Sequence, residues 1–233
     1  MKTDNMEVFM DNDVLKDKSI CKINYRNRID GLLLLNNIDD GKIKTAFFDP
    51  QYRGVLDKLK YGNEGKNRGK ARHDLQQMDE DTIVSFIREI DRVLLPSGHL
   101  FLWVDKFHLC TGVTGWFKDT SLKLVDLITW DKGKIGMGYR TRRKSEYLII
   151  FQKEPIKAKE YWNDHTIPDV WLEKTDKIHA HSKPIELQKR LIKATSYEGD
   201  FILDPASGGY SVFNACEQCG RNFIGGDIEY GED

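Results

Sequence analysis

Three acids stand where apolar runs stop. "KTAFFD" closes on Asp49 and is followed by Pro50, Gln51 and Tyr52; "FILD" closes on Asp204 and runs into Pro205, Ala206, Ser207, Gly208 and Gly209; "NFIGGD" closes on Asp227. An acid before proline or glycine can be a plain strand exit, since these residues punctuate structure. It can equally mark a site, because open α/β sheets bind ligands at the carboxyl ends of their strands. The second and third acids follow a nucleotide-type plan: strand, glycine turn and helix, with an acid at the next strand end about 20 residues on to take ribose hydroxyls. A dinucleotide would need G-x-G-x-x-G so that pyrophosphate meets bare backbone donors. Here Asp204 opens the turn and only Gly208 and Gly209 follow. A carboxylate there repels pyrophosphate and suits a ligand with a ribose and positive charge but no phosphate, such as S-adenosylmethionine.

The elements that must position these acids are legible in outline. "KTAFFD" (44–49) and "HLFLWV" (99–104) read as buried strands. Between them "DTIVSFIREIDRVLLPSG" carries Ile83, Ile87, Ile90 and Leu94 at helical spacing, with acids before its start and Pro96 to Gly98 as its stop. That is a β-α-β crossover. "LKLVDLITW" (122–130) and "EYLIIF" (146–151) read as a further strand pair. "PIELQKRLIKATS" predicts a helix, "FILD" (201–204) a short strand, "SVFNACEQCG" a helix ending at Gly220, and "NFIGGD" (222–227) a last strand. The alternation implies an α/β fold, a mainly parallel sheet with helices on both faces. The polar, aromatic-dotted stretch 152–180 shows no clear period.

A chain of 233 residues fits one domain spanning 1–233. The start lacks the apolar centre of a signal peptide, and no apolar run approaches the roughly 20 residues that span a bilayer, so no membrane partner and a cytoplasmic location are expected. Cys21, Cys110, Cys216 and Cys219 are too scattered for a disulfide framework. Net charge is −1, which excludes a polycation coating nucleic acid. Local charge differs. From Arg53 to Arg72 there are seven Lys or Arg against Asp57 and Glu64, and from Lys132 to Lys144 there are six with no acid. One such run is commonly a solvated loop; two flanking one candidate site point to a polyanion partner.

Four motifs in fixed order carry a resemblance. "DPQY" (49–52) is similar to the Asp-Pro-Pro-Tyr of the amino-methylating DNA methyltransferases. "HSKPIELQKRLI" (181–192), with His181, Ser182 and Lys183, resembles their cofactor-binding helix motif. "DPASGGYSV" (204–212) resembles their glycine turn, and "NFIGGD" the strand ending in the ribose-binding acid. "RIDGLLLL" (28–35) places Asp30 where the family carries an acid before the catalytic strand. The order, catalytic motif before cofactor motif, resembles the circularly permuted group. The resemblance implies a Rossmann-like fold, S-adenosylmethionine as cofactor, double-stranded DNA as substrate, and no metal. It leaves room for a homodimer and a cognate restriction enzyme. Two departures stand out: Gln51 replaces the second proline, and the glycine turn reads Ala-Ser-Gly-Gly.

The implied chemistry gives Asp49 a task. An exocyclic aromatic amine is a poor nucleophile because its lone pair is delocalised into the ring. Asp49 and the Pro50 carbonyl would accept its two N–H groups, Asp49 finally taking the proton, while Tyr52 stacks on a base flipped out of the duplex. Asp in the first position resembles the adenine N6 enzymes; cytosine N4 enzymes more often begin with Ser. Lys58, Lys60, Lys66, Arg68, Lys70 and Arg72 lie in a basic loop, 53–77, expected to be flexible, and Arg140, Arg142 and Arg143 follow "GKIGMGY"; both sets are candidate phosphate contacts. The stretch 152–180 falls where the family carries its target-recognition segment.

Blander readings compete. Cys216 and Cys219 on a helix are more often packing residues than metal ligands, and Trp103, Trp116 and Trp130 are expected in the core or at its edge. Asp30 is equally well a simple loop starter. A nicotinamide oxidoreductase is disfavoured by the missing glycine. The remaining alternatives are a cytosine N4 methyltransferase and a DNA-binding relative that has lost catalysis.

Overall fold

The computed structural model describes residues 14–51, 78–136, 140–175 and 183–232. Tyr52, the basic loop 53–77 with its six named cations, His181 and Ser182 lie outside the described residues. The elements in chain order are β1 (Asn27–Arg28), α1 (Gly31–Asn36), β2 (Ile43–Phe48), α2 (Glu80–Val93), β3 (Leu94–Val104) and α3 (Lys106–Thr111). A 3₁₀ turn (Thr114–Phe117) precedes β4 (Leu122–Asp131), β5 (Ser145–Lys153), β6 (Val170–Leu172), α4 (Ile185–Thr195), β7 (Phe201–Asp204), α5 (Ser211–Glu217) and β8 (Asn222–Asp227).

The strands form one sheet in the order β1-β8-β7-β2-β3-β5-β4-β6. β5 runs antiparallel to both its neighbours, and every other pairing is parallel. The expected mainly parallel α/β sheet is therefore present. Its central strand explains why "AFF" is an unbroken apolar run. Phe48 stacks on Phe86 of α2 at 5.1 Å, and Phe47 packs against Phe101 on the other face at 4.9 Å. One apolar layer lies under α1 and α2, the other under α4 and α5. A strand covered on both faces has no polar side to alternate with.

α2 buries Ile83, Phe86, Ile87, Ile90 and Val93 at helical spacing, and the Asp79 carboxylate caps it by accepting from the Thr82 N–H at 2.8 Å. Glu80 and Asp81 in the first turn complement the helix dipole. The helix stops at Val93, before the Pro96–Gly98 signal. Leu94 is extended and pairs with Ile43, because the chain ahead of Pro96 is steered out of the helical region. α5 likewise ends at Glu217 rather than Gly220, which sits in the following turn at φ +67°. The stretch without period contains the three-residue strand β6, whose Trp171 is flanked by exposed Val170 and Leu172.

Strand pairing, more than element length, brings the three acids together. β2 pairs with β7 through Thr45↔Ile202 and Ala46↔Leu203, and β7 with β8 through Asp204↔Gly225. The carboxyl ends of the three strands thus share one edge of the sheet, with β2 lying between β7 and β3 at the point where chain order reverses. β4 ends on the same edge and antiparallel β5 begins there.

Candidate active site

Asp49 leaves β2 at that edge. Its Oδ2 lies 2.9 Å from the Lys183 ammonium, which is also 2.9 Å from Oε2 of Glu146 at the start of β5. Oε1 of Glu146 pairs with Lys132, the first residue past β4. The Lys183 ammonium sits 4.8 Å over the Trp103 ring, Lys132 sits 5.3 Å over Trp130, and the two indoles meet edge to face. Four alternating charges therefore rest on a floor of two buried tryptophans. Burial penalises the Glu146 carboxylate, but Lys183 and Lys132 outweigh that penalty and hold its pKa at about 2. Burial also works against the Lys183 ammonium, yet Asp49 and Glu146 hold its pKa well above the ordinary range.

The cofactor motif closes on itself through Asp227. Oδ2 of Asp227 accepts from the Gly208 N–H at 3.1 Å; Oδ1 accepts from Glu229 and Tyr230 at 2.8 and 3.0 Å. Gly208 has φ +47°, in the left-handed region that glycine enters without a Cβ clash. Ser207 donates its N–H to the Gly226 carbonyl and its hydroxyl to the Asp204 carbonyl, fastening the turn to β7 and β8. Gly31 opens α1 against the same turn: a Cβ there would meet the Pro205 carbonyl at 2.2 Å. Asp204 is 6% exposed, and burial, then Asp49 and Asp227, raise its carboxyl pKa to about 8. Asp30 caps α1, its Oδ1 accepting from Leu32 and Leu33 at 3.0 Å, a structural role in place of a plain loop start.

An open cleft is lined by Gln51, Met78, Ala206, Asp227, Ile228, Glu229 and Tyr230. The chain leaving "DPQ" is anchored there, since the Gln51 carbonyl accepts from the Met78 N–H at 2.8 Å. Two carboxylates and three large apolar side chains suit a cationic ligand with an aromatic ring, without phosphate. Residues of the catalytic motif and of the cofactor motif line this one cleft. Pro50 is buried beside it and Gly209 is exposed on the glycine turn.

The described residues of the acid-free run, 132–136 and 140–144, flank the β4–β5 hairpin, where Lys132 donates its N–H to the Lys144 carbonyl and Gly136 to that of Arg143. Lys132 and Lys144 pair with Glu146 and Asp131 just outside the run. Arg140 and Arg142 stay exposed and Arg143 half-buried. Of the stretch 152–180, residues up to 175 are described. Trp162 packs on His99 and Phe101, Asp164 pairs with Arg190 of α4, and the Glu173 carboxylate caps α4 by accepting from Glu186 and Leu187. His99 is driven down to a pKa of about 4, first by burial and then by Lys44, so it stays neutral under that segment. Cys216 and Cys219 are buried in the layer under α4 and α5, and Trp103, Trp116 and Trp130 are in the core. Sequence reasoning missed Glu146, Lys132, Met78, Ile228, Glu229 and Tyr230. Glu146 carried a signal, an acid at the head of a buried strand.

A family profile described as DNA methylase matches residues 43–232. The chain is 63% identical over 213 residues to the Type II methyltransferase M.HhaII of Haemophilus parahaemolyticus, covering 91% of this chain and 93% of that one. It is 27% identical to M2.DpnII of Streptococcus pneumoniae, covering 86% and 83%. In fold it is similar to the M1.HpyAVI complex with SAM (TM-score 0.63, 16% identity, 88% and 93% covered). It is also similar to the cytosine-N4-specific PvuII DNA methyltransferase (TM-score 0.67, 14% identity, 86% and 80% covered). With the profile spanning most of the chain and a near relative matched almost end to end, the chain belongs to the amino-group DNA methyltransferases, the N6-adenine and N4-cytosine family.

Proposed function

We propose that the chain methylates the N6 amine of adenine in double-stranded DNA, drawing the methyl group from S-adenosylmethionine. The observation that carries this reading is the shared cleft: Gln51 of the catalytic motif and Asp227 of the cofactor motif face the same space. Bound there, S-adenosylmethionine supplies an electrophilic methyl group. Asp227 would take the ribose hydroxyls and Ile228, Met78 and Tyr230 would hold the adenine ring, with Asp204 buried behind the glycine turn. Asp49 accepts one N–H of the target amine and receives its proton as the amine nitrogen gains the methyl group and the sulfonium S–C bond breaks, its electron pair staying on the sulfur of the departing S-adenosylhomocysteine; the Pro50 carbonyl accepts the other N–H. The contribution is positioning and fixed dipoles, with no covalent intermediate on the enzyme.

The preference for adenine rests on Asp in the first position of "DPQY". Lys183 engages Oδ2 of Asp49, which leaves Oδ1 to the target amine. Arg140, Arg142 and Arg143 contact phosphates from the hairpin loop. The stretch 152–180, whose described part docks on β3, β4 and α4, reads the flanking bases. The Type II name of the near relative supports a place in a restriction-modification pair, with the enzyme in the cytoplasm beside its DNA. The test is incubation with mixed-sequence duplex and methyl-labelled S-adenosylmethionine, followed by digestion to nucleosides. Label in N6-methyladenosine is expected; label in N4-methylcytosine refutes the base assignment, and no label refutes the activity.

A further inference from the structure

Glu146 belongs to none of the four motifs, yet its carboxylate is 27% exposed and engaged by two ammonium groups, one of which also holds the catalytic-motif acid. We propose that Glu146 is a positioning residue for methyl transfer: it draws the Lys183 ammonium away from full engagement with Asp49, so that Asp49 keeps one oxygen for the target amine. The inference rests on the reading of Asp49 as the amine acceptor.

The geometry supports a shared rather than a private cation. Lys183 lies 2.9 Å from one oxygen of each carboxylate, and its side chain is only 13% exposed, so water does little to relieve its charge. An ammonium has three donors. With one directed to Glu146, fewer remain for Asp49, and the Trp103 ring beneath fixes the height at which they are offered. Without the Glu146 charge, Lys183 would have Asp49 as its only anionic partner among these groups. It would then settle on that carboxylate and compete with the target N–H for the same lone pairs. Lys132 acts one step further out. Pairing with Oε1, it orients Glu146 so that Oε2 faces Lys183, and it is the first residue of the hairpin loop that carries Arg140, Arg142 and Arg143. A shift of Lys132 would therefore be felt at Asp49 through three ion pairs, Lys132–Glu146, Glu146–Lys183 and Lys183–Asp49.

The test uses the full chain, mixed-sequence duplex and saturating S-adenosylmethionine, with cofactor Kd measured by calorimetry. Glu146→Gln keeps the side chain's shape and removes its charge. We expect kcat to fall about tenfold or more, as for misplacement at a reacting centre, while cofactor Kd and KM for DNA stay within about threefold. Lys132→Met should lower kcat less, and its effect should vanish in the Glu146→Gln background, because it acts only through Glu146. A kcat for Glu146→Gln within about twofold of the native value overturns the proposal, as does a loss that appears entirely in cofactor Kd. If Glu146→Gln does not fold, Lys132→Met carries the test by itself, and an unchanged kcat there overturns the proposal. Asp49→Ala separates the role of Asp49 from that of Glu146. Turnover in that variant sinks the acceptor reading, whereas an inactive Asp49→Ala beside a fully active Glu146→Gln sinks only the role of Glu146.

Discussion

Replacing Lys183 with methionine should cost stability as well as activity, and the loss should depend on pH in a defined direction. Breaking a buried ion pair by removing one partner costs about 3–5 kcal/mol, because the other charge is left without compensation. Two features reduce that figure here. Asp49 is 37% exposed, so water screens its charge, and Glu146 retains Lys132. About 2 kcal/mol remains, which for a chain of this size lowers Tm by about 4–8 °C. Methionine preserves the aliphatic stem and its packing on Trp103, so the measured loss is electrostatic. Glu146 supplies the sign. Its folded pKa, about 2, lies below the ordinary 4.5, so its pairing contributes stability that is complete above the unfolded value and lost as pH falls through the folded one. Part of that contribution comes from Lys183. The difference in Tm between native and Lys183→Met should therefore be largest at neutral pH and shrink as pH falls from about 5 toward about 2. Thermal melts of both proteins across that range decide the matter. A Tm difference that is absent at neutral pH, or constant down to pH 2, refutes the account.

Three further outcomes are expected. Asp204 has a raised carboxyl pKa, so the fold gains from its proton below the ordinary value of 3.8 and loses that gain as pH rises through about 8; a cationic cofactor favours the ionised form, so affinity should rise about fivefold from pH 7 to pH 8, and calorimetry on Asp204→Asn should show a flat profile. Asp227→Ala should weaken S-adenosylmethionine binding by about 1.5–3 kcal/mol, the scale of a hydrogen bond to a charged group, and unchanged affinity would place the ribose partner elsewhere. Neutralising Arg140, Arg142 and Arg143 together should weaken binding to every DNA sequence and flatten the salt slope by about 2–3, with cofactor affinity unmoved; an unchanged slope means these residues do not touch phosphate.

The central strands and the two-faced sheet could be read from the sequence because burial on both sides leaves a continuous apolar run, as in "AFF" and "FLW". β6 could not. Its three residues lie at the sheet margin with Val170 and Leu172 exposed, and so small an element produces neither alternation nor a run. Charge counting met a similar limit. The run Lys132 to Lys144 is free of acids, yet the register Asp131↔Ser145 of the hairpin sets Lys144 beside Asp131, while Lys132 reaches Glu146. Cross-strand neighbours lie outside the window in which a run is counted. The Glu146–Lys183 contact joins residues 37 apart, and nothing local in either segment announces it.

The three strand-end acids could be read from the sequence, and strand pairing explains why they meet although "DPQY" comes before the glycine turn. In a parallel sheet the side of the molecule on which a strand ends is fixed by its direction, and its neighbours by pairing, so Asp49, Asp204 and Asp227 meet at one edge whichever segment the chain lays down first. The order of the motifs decides only which loops cross that edge. Here the β4–β5 hairpin and the chain entering α4 bring Lys132, Glu146 and Lys183 to it, and these supply the charges that share Asp49. Motif reading recovers groups that follow strand ends. Lys183 was carried by the helix motif, whereas Lys132 and Glu146 arrive on the hairpin from across the sheet and become visible only once the register is known.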